Sequence, residues 1–323
     1  MRSTHAPPHL RHDPLADRTV ITAPQRAERP NELAGAEIPC PFCAGNESLA
    51  PPDVLRSPPD PAAAWRARIV PNAFPIACDE MRPSALDDTA GRAVRGVHDV
   101  VIESPEHVRS ILEIDAAGWL DAWELCRRRL AELADRGDLA WGMVFKNSGA
   151  AAGASLEHVH SQLIALDFVP QGVAAELAAA GRSVDPFGEL LRAAEREERI
   201  VAETGDLVAL VPPAPRQPFE TWILPRSAEP HFHTTAAARV AALAALTRSL
   251  VGRLDRLAPQ VAYNWWLHQF PYDARGAAPA AAAWHWHLEI LPRINGLAGF
   301  ELGAGCHVTT LAPREAARRL RTA

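Results

Sequence analysis

Along this chain, short apolar runs bounded by turn residues alternate with two long stretches of helical spacing. RTVITA at 18–23, ARIVPNAFPI at 67–76 and HDVVIES at 98–104 read as strands, the second running into a turn and the third stopped by Pro105. From Trp119 to Asp135 the pattern WLDAWELCRRRLAELAD sets apolar residues at helical spacing, with charges on the other face. WGMVFKN follows as a strand, then the Gly- and Ala-rich turn SGAAAGAS, then the strand HVHSQLIAL. Residues 1–60, rich in Pro, Asp and Arg, are expected to form an extended arm with short strands.

The same order returns downstream. LVALVPP and TWILPR read as strands, a helix is expected over 235–256, and QVAYNWWLHQF is a strand. A loop with the Ala- and Pro-rich run 276–284 leads to the strand HWHLEILPR. Strand, helix, strand, loop and a strand bearing His-x-His thus occur twice, which predicts an internal duplication. The expected division is an N-terminal repeat over 1–170, a connecting helix over 171–200 whose end EREER is solvated, and a C-terminal repeat over 201–323.

Composition narrows the function classes. At 323 residues, 48% hydrophobic and 22% charged, the chain matches ordinary globular proteins and is long enough for a sizeable core. A net charge of -6 gives no basic field for nucleic acid or an anionic membrane, so an anionic substrate would be held by local groups. No run approaches a membrane span and the first residues carry no secretory h-region, so the cytoplasm is the expected address. Five cysteines, an odd and sparse set, argue against a disulfide framework.

Two of them form Cys40-Pro-Phe-Cys43, either a metal half-site or a redox pair; its place between EIP and AGN, in a loop, favours metal. The second chemical signal is FKNSGAAAGASLEHVHSQLIAL, 145–166. Strand alternation sets His158, His160 and Gln162 side by side. Neutral imidazole is a good nucleophile toward phosphorus when its other nitrogen is held, whereas an amide can bind a phosphoryl oxygen but cannot deliver a proton. That pairing suits reversible transfer from a weakly basic leaving group better than hydrolysis. A lone His-x-His is more often structural or metal-binding, but the small-residue turn before it lets backbone N–H groups approach a phosphate.

The string NSGAAAGASLEHVHSQ resembles the active-site signature of the galactose-1-phosphate uridylyltransferase family, with Val159 where the family usually has proline. The similarity continues through RAERP at 26–30, CPFCAGNE at 40–47, RIVPNAFP at 68–75, HDVVIESPEH at 98–107, PFETWILP at 218–225 and GFELGAG at 299–305. This resemblance implies an α+β fold of two histidine-triad-like repeats, antiparallel sheets with helices, and a homodimer. It implies that His160 is the nucleophile and Gln162 the amide that binds the transferred group. By it Asn147 and Ser155 match phosphate or ribose contacts, Arg26 and Arg29 an arginine pair near the phosphates, and Asn72 a nucleotide contact. Read alone, the two arginines are a solvated basic turn.

By the same resemblance zinc is held by Cys40, Cys43, His107 and His158, with His98 a weaker competitor for His107. Glu176, His268, His285 and His287 lie where some relatives hold a second ion, iron or zinc; packing of these histidines with tryptophans is the alternative. His231 and His233 are expected at the surface. The implied partners are a nucleotide sugar and a sugar 1-phosphate. Uridylyl transfer between hexose 1-phosphates is the first expectation. GFELGAGCHV, Ser161, and His307 in place of a hexose-binding glutamine are similar to the branch containing ADP-glucose phosphorylase, so adenylyl transfer is the alternative. A zinc-containing nucleotide-binding protein without turnover is the reading from another class.

Overall fold

The computed structural model describes residues 7–29, 39–79, 91–272 and 278–323. Thirteen strands lie among them: β1 His9–Asp13, β2 Arg18–Thr22, β3 Leu55–Ser57, β4 Ala67–Pro71, β5 Arg92–Ala93, β6 Gly96–Ile102 and β7 Trp141–Ser148, then β8 His160–Leu166, β9 Ile200–Thr204, β10 Leu207–Leu210, β11 Thr221–Pro225, β12 Tyr263–His268 and β13 His287–Pro292. The helices are α1 Ala116–Asp135, α2 Gln171–Ala180, α3 Pro186–Arg196, α4 Ala237–Leu257, α5 Ala278–Ala282, α6 Gly299–Ala304 and α7 Pro313–Thr322.

Ten strands form one antiparallel sheet in the order β3-β4-β6-β8-β7-β12-β13-β11-β10-β9, and β2-β1-β5 form a second, small sheet. The order is symmetric about the β7–β12 pair. The segment β6-α1-β7-β8 puts β8 between β6 and β7, and β11-α4-β12-β13 puts β13 between β11 and β12. The antiparallel α+β fold is therefore the one the sequence pattern predicts.

Alternation along β8 decides which side chains do chemistry. Leu163 and Ala165 point into the main core, with Val159 just before the strand, and pack with α1 and α4; His160, Gln162 and Ile164 point to the opposite face. α1 begins at Asp115, whose carboxylate accepts from Gly118 N at 2.7 Å, and it buries Trp119, Trp123, Leu130 and Leu133. Trp119 stacks on Trp265 of β12 at 5.6 Å and donates its indole N–H to Ala244 O of α4, clamping the helix pair onto the centre of the sheet. Truncating such a buried indole costs about 3–5 kcal/mol.

Three readings need correction. Residues 171–200 hold two helices, because Gly181 ends α2 and Asp185 with Pro186 caps and starts α3; the stretch then runs straight into β9 at Ile200. The loop residues 273–277 lie outside the described residues, and 278–282 are helical. His231 and His233 are half-buried, His231 Nε2 donating to Pro271 O at 3.0 Å and His233 standing 3.4 Å from Gln269 Oε1. Among the described residues no helix is long and apolar enough to cross a membrane.

Candidate active site

Pairing of β6 with β8 sets Ile102 opposite His160 and Val100 opposite Gln162. His160 Nδ1 lies 2.7 Å from His158 O. A carbonyl can only accept, so Nδ1 carries the ring proton and Nε2 is left with a free lone pair. Burial holds the imidazole down at about pKa 3, against the pull of that hydrogen bond, so the ring is neutral in any ordinary buffer. The backbone under it is fixed by Lys146, whose Nζ donates to His160 O at 2.8 Å and to Glu103 at 2.6 Å; Ser161 donates to the other Glu103 oxygen. Lys146 and Glu103 are both fully enclosed, so neither can be removed without stranding a buried charge.

In front of His160 the chain turns through Gly149 and Gly153, both at φ +84°. A side chain at Gly149 would meet Ala262 Cβ at 2.9 Å, and the left-handed Gly153 lets the short helical turn of Ala150–Ala152 reverse. The turn delivers Ser155, whose Oγ is buried without a hydrogen-bond partner at the rim of the same cavity as His160 and Gln162. An orphaned buried hydroxyl beside a bare imidazole nitrogen is what an anionic group would satisfy.

His160 lines two cavities. One, about 170 Å³, is walled by Phe42, Leu49, Val70, Phe74 and Val100 and closed by Asn72, Arg29 and Gln162. Its apolar walls suit a flat base. The other, about 580 Å³, is more polar and includes Asn147, Ser148, Asp255 and Gln260. Asn147 gives its carbonyl oxygen to Asn264 at 2.8 Å, so its N–H₂ donors remain for a ligand. Asn72 accepts from Phe74 N at 2.8 Å. Arg29 reaches the smaller cavity, whereas Arg26 donates to Phe74 O at 2.8 Å and braces the loop that carries the wall.

Beside this strand, Cys40, Cys43, His107 and His158 place one donor atom each within 4.8 Å of one another. The Sγ–Nδ1 separations are 3.5, 3.4 and 3.7 Å. A tetrahedron with ~2.3 Å metal–sulfur and ~2.0 Å metal–nitrogen bonds has edges of about 3.6 Å between unlike ligands, so the four residues fit zinc. His158 Nε2 donates to Ser104 O at 2.9 Å, leaving Nδ1 as the ligating nitrogen. Burial pushes the Cys40 thiol up to about 11, a thiolate site that is stable only with a cation present. His98, the competitor, lies elsewhere: its Nε2 is 3.0 Å from Gln162 Oε1.

A second cluster gathers Glu176, His268, His287 and Glu289. Glu176 of α2 bridges His268 at 2.7 Å and His287 at 2.9 Å, and Glu289 stands 3.6 Å from His287 Nε2. His285 is not among them. It precedes β13, its Nδ1 is 2.7 Å from Pro225 O, and its ring stacks on Phe187 at 5.1 Å. Glu289, two residues beyond His287, takes the place expected for it. Burial alone would depress His287, but Glu176 and then Glu289 overcome this and raise it to about 10.

A duplicated antiparallel sheet in which β8 presents a neutral, backbone-oriented histidine and a glutamine to an anion-ready turn defines a nucleotidyltransferase. The chain belongs to the galactose-1-phosphate uridylyltransferase family. The family model "Galactose-1-phosphate uridyl transferase, N-terminal domain" matches residues 82–170, and a domain of unknown function, DUF4921, matches 130–323. ADP-glucose phosphorylase of Arabidopsis thaliana is 31% identical over 97% of this chain and 92% of its own length. The crystal structure of an ADP-glucose phosphorylase from that plant with bound ADP-glucose is 32% identical and superposes with a TM-score of 0.78 over 98% of this chain and 99% of the other. Galactose-1-phosphate uridylyltransferase of Thermotoga maritima is 25% identical over 97% of both chains.

Proposed function

We propose that the protein is an adenylyltransferase acting on ADP-glucose by double displacement, with His160 as the covalent nucleophile and phosphate as acceptor. The observation that carries the chemistry is the bare Nε2 of a neutral His160 beside the orphaned Ser155 hydroxyl and the Gln162 amide. The choice of adenylyl donor rests on the 31% identity to ADP-glucose phosphorylase against 25% for the Thermotoga uridylyltransferase.

In the first step the Nε2 lone pair attacks the α-phosphorus. The bond from that phosphorus to the bridging oxygen breaks, and glucose 1-phosphate departs with the electron pair. It is weakly basic and needs no proton, which is why an amide serves at position 162. The adduct carries an imidazolium charge; the Nδ1–H to His158 O bond stabilises it. Gln162, Ser155 and Arg29 donate to phosphoryl oxygens, offsetting the anion's loss of water. A phosphate oxygen then attacks the same phosphorus, the P–N bond breaks, ADP leaves and neutral His160 returns. The base occupies the smaller, apolar cavity, and the sugar or phosphate end faces the larger, polar one with Asn147.

Zinc bound by Cys40, Cys43, His107 and His158 would tie the 40–43 loop to the nucleophile strand and hold it in place without touching the reacting atoms. A second ion, iron or zinc, would be held by Glu176, His268, His287 and Glu289. The chain acts as a homodimer in the cytoplasm in this reading.

Uridylyl transfer between hexose 1-phosphates is the second reading, favoured by the match of residues 82–170 to the uridylyltransferase domain. Incubating the protein with ADP-glucose and with UDP-glucose separately and weighing the intact chain decides between them. A gain of one AMP, and little or no UMP, supports the proposal; the reverse supports uridylyl transfer, and no gain from either overturns the covalent route.

A further inference from the structure

Gln162 can help the transfer only if its amide turns the right way round. A carboxamide has an accepting and a donating end of nearly the same shape, and only the N–H₂ end can bind a phosphoryl oxygen. What fixes that choice is a residue on the neighbouring strand, two positions from the register partner of Gln162. His98 sits buried on β6, one alternation from Val100, the register partner of Gln162. Its Nδ1 lies 3.1 Å from the backbone nitrogen of Ile76, and a backbone N–H can only donate, so this ring nitrogen is the acceptor. The ring is neutral, since burial, with Arg26 and Arg29 nearby, holds it at about pKa 4. The proton is therefore on Nε2, which stands 3.0 Å from Gln162 Oε1.

We infer that His98 is a positioning residue: through the chain Ile76 N–H to His98 to Gln162 Oε1 it locks the amide with its N–H₂ group facing His160's cavity. The reading rests on the proposed role of Gln162 in nucleotidyl transfer. The lock has a second effect. Asn72 Nδ2 lies 3.2 Å from the same His98 nitrogen, and because that nitrogen is protonated the contact gives Asn72 no hydrogen bond. Asn72 Oδ1 is already used by Phe74 N, so the asparagine's donors are left for the nucleotide. One tautomer thus aims two amides at the substrate, although His98 touches neither substrate nor reacting atom.

The test is a double-mutant cycle read as the rate of nucleotidyl-His160 formation at saturating nucleotide sugar, with Tm followed for every variant. In His98→Asn the shorter amide keeps an acceptor for Ile76 N–H and loses the donor to Gln162. The rate is expected to fall about tenfold with KM for the donor changed less than about threefold, the size of one hydrogen bond to a charged group. In a Gln162→Ala background the same change should alter the rate less than about twofold, because the amide it orients is gone. His98→Gln, whose N–H₂ reaches the place of the ring Nε2, should recover most of the rate. Equal losses from His98→Asn in both backgrounds, or equal losses in His98→Asn and His98→Gln, would overturn the assignment. If His98→Asn does not fold, His98→Gln decides alone: near wild-type rate supports the lock, and a tenfold loss overturns it. Absence of any nucleotidyl adduct in the wild type would overturn the proposed reaction, a result distinct from additivity in a protein that does form the adduct.

Discussion

β8 and β13 occupy matching places in the sheet, and each opens on the second histidine of a His-x-His pair, yet they are electrostatic opposites. On β8, His160 is buried with a backbone carbonyl as its partner and is held at about pKa 3; on β13, His287 is buried between two carboxylates and raised to about 10. Both rings are buried, and burial disfavours the charged form of each. The neighbours decide the outcome: Gln162 follows His160 on its face, whereas Glu289 follows His287 and Glu176 reaches in from α2. A neutral ring with an exposed lone pair can attack phosphorus, and a ring committed to carboxylates or to a cation cannot. Residue type is thus shared by the two strands, and reactivity is set by what stands two residues on.

The comparison breaks most sharply on the histidines themselves. His160→Ala should lose roughly 10⁴-fold or more in turnover and all adduct by intact mass, whereas His287→Ala should still form the adduct on His160. Next comes conversion of one strand into the other. Gln162→Glu gives β8 the His-x-His-x-Glu pattern of β13, so its carboxylate should raise the His160 pKa, repel phosphoryl oxygens and cut adduct formation on the order of 10²-fold at neutral pH. Gln162→His should instead shift the fate of the adduct from transfer toward hydrolysis, measured as free nucleoside monophosphate per transfer event, because a histidine there can deliver a proton.

Cys43→Ala is expected to lose about one zinc per chain by elemental analysis and to lower Tm on the order of 5–10 °C, since a closed metal site couples binding to folding. The smallest effect is on pH. With its folded pKa far below 6.5, His160 stays a free base, so the adduct-forming rate at saturating donor should be flat from pH 8 down to about 5 instead of halving near 6.5. For stability the signs differ between the strands. His98 and His160, depressed to about 4 and about 3, bind more protons unfolded than folded, so their neutral burial costs stability as pH falls below about 6.5. In the ion-free protein His287, raised to about 10, contributes stability that is fully present below about 6.5 and lost as pH rises through about 10; a bound ion would replace that proton. Tm against pH in His160→Ala and His287→Ala, each compared with wild type, separates the two slopes.

Much of this was written in local pattern. The alternation of 158–166 and the helical spacing of 119–135 fix β8 and α1, and the small-residue turn points to Ser155 before any geometry is known. The start of α3 was also legible, since Asp185-Pro186 is a cap followed by a first-turn proline, but the charged run EREER masks it. Glu289 was readable by the same alternation that picks out Gln162; His285 drew the eye instead, although it lies before the strand and is claimed by Pro225 O. His98 and the Lys146–Glu103–Ser161 network were not legible. Their meaning depends on which strand lies beside β8 and in what register, and no local period carries that information.

The central claim, transfer through a covalent His160, is tested most directly by isotope exchange without acceptor. Labelled glucose 1-phosphate is mixed with unlabelled ADP-glucose and the protein, with no phosphate present. The expected result is label appearing in ADP-glucose with wild type and none with His160→Ala, because the first half-reaction reverses on its own. Exchange that requires added phosphate, or that persists in His160→Ala, would contradict the account.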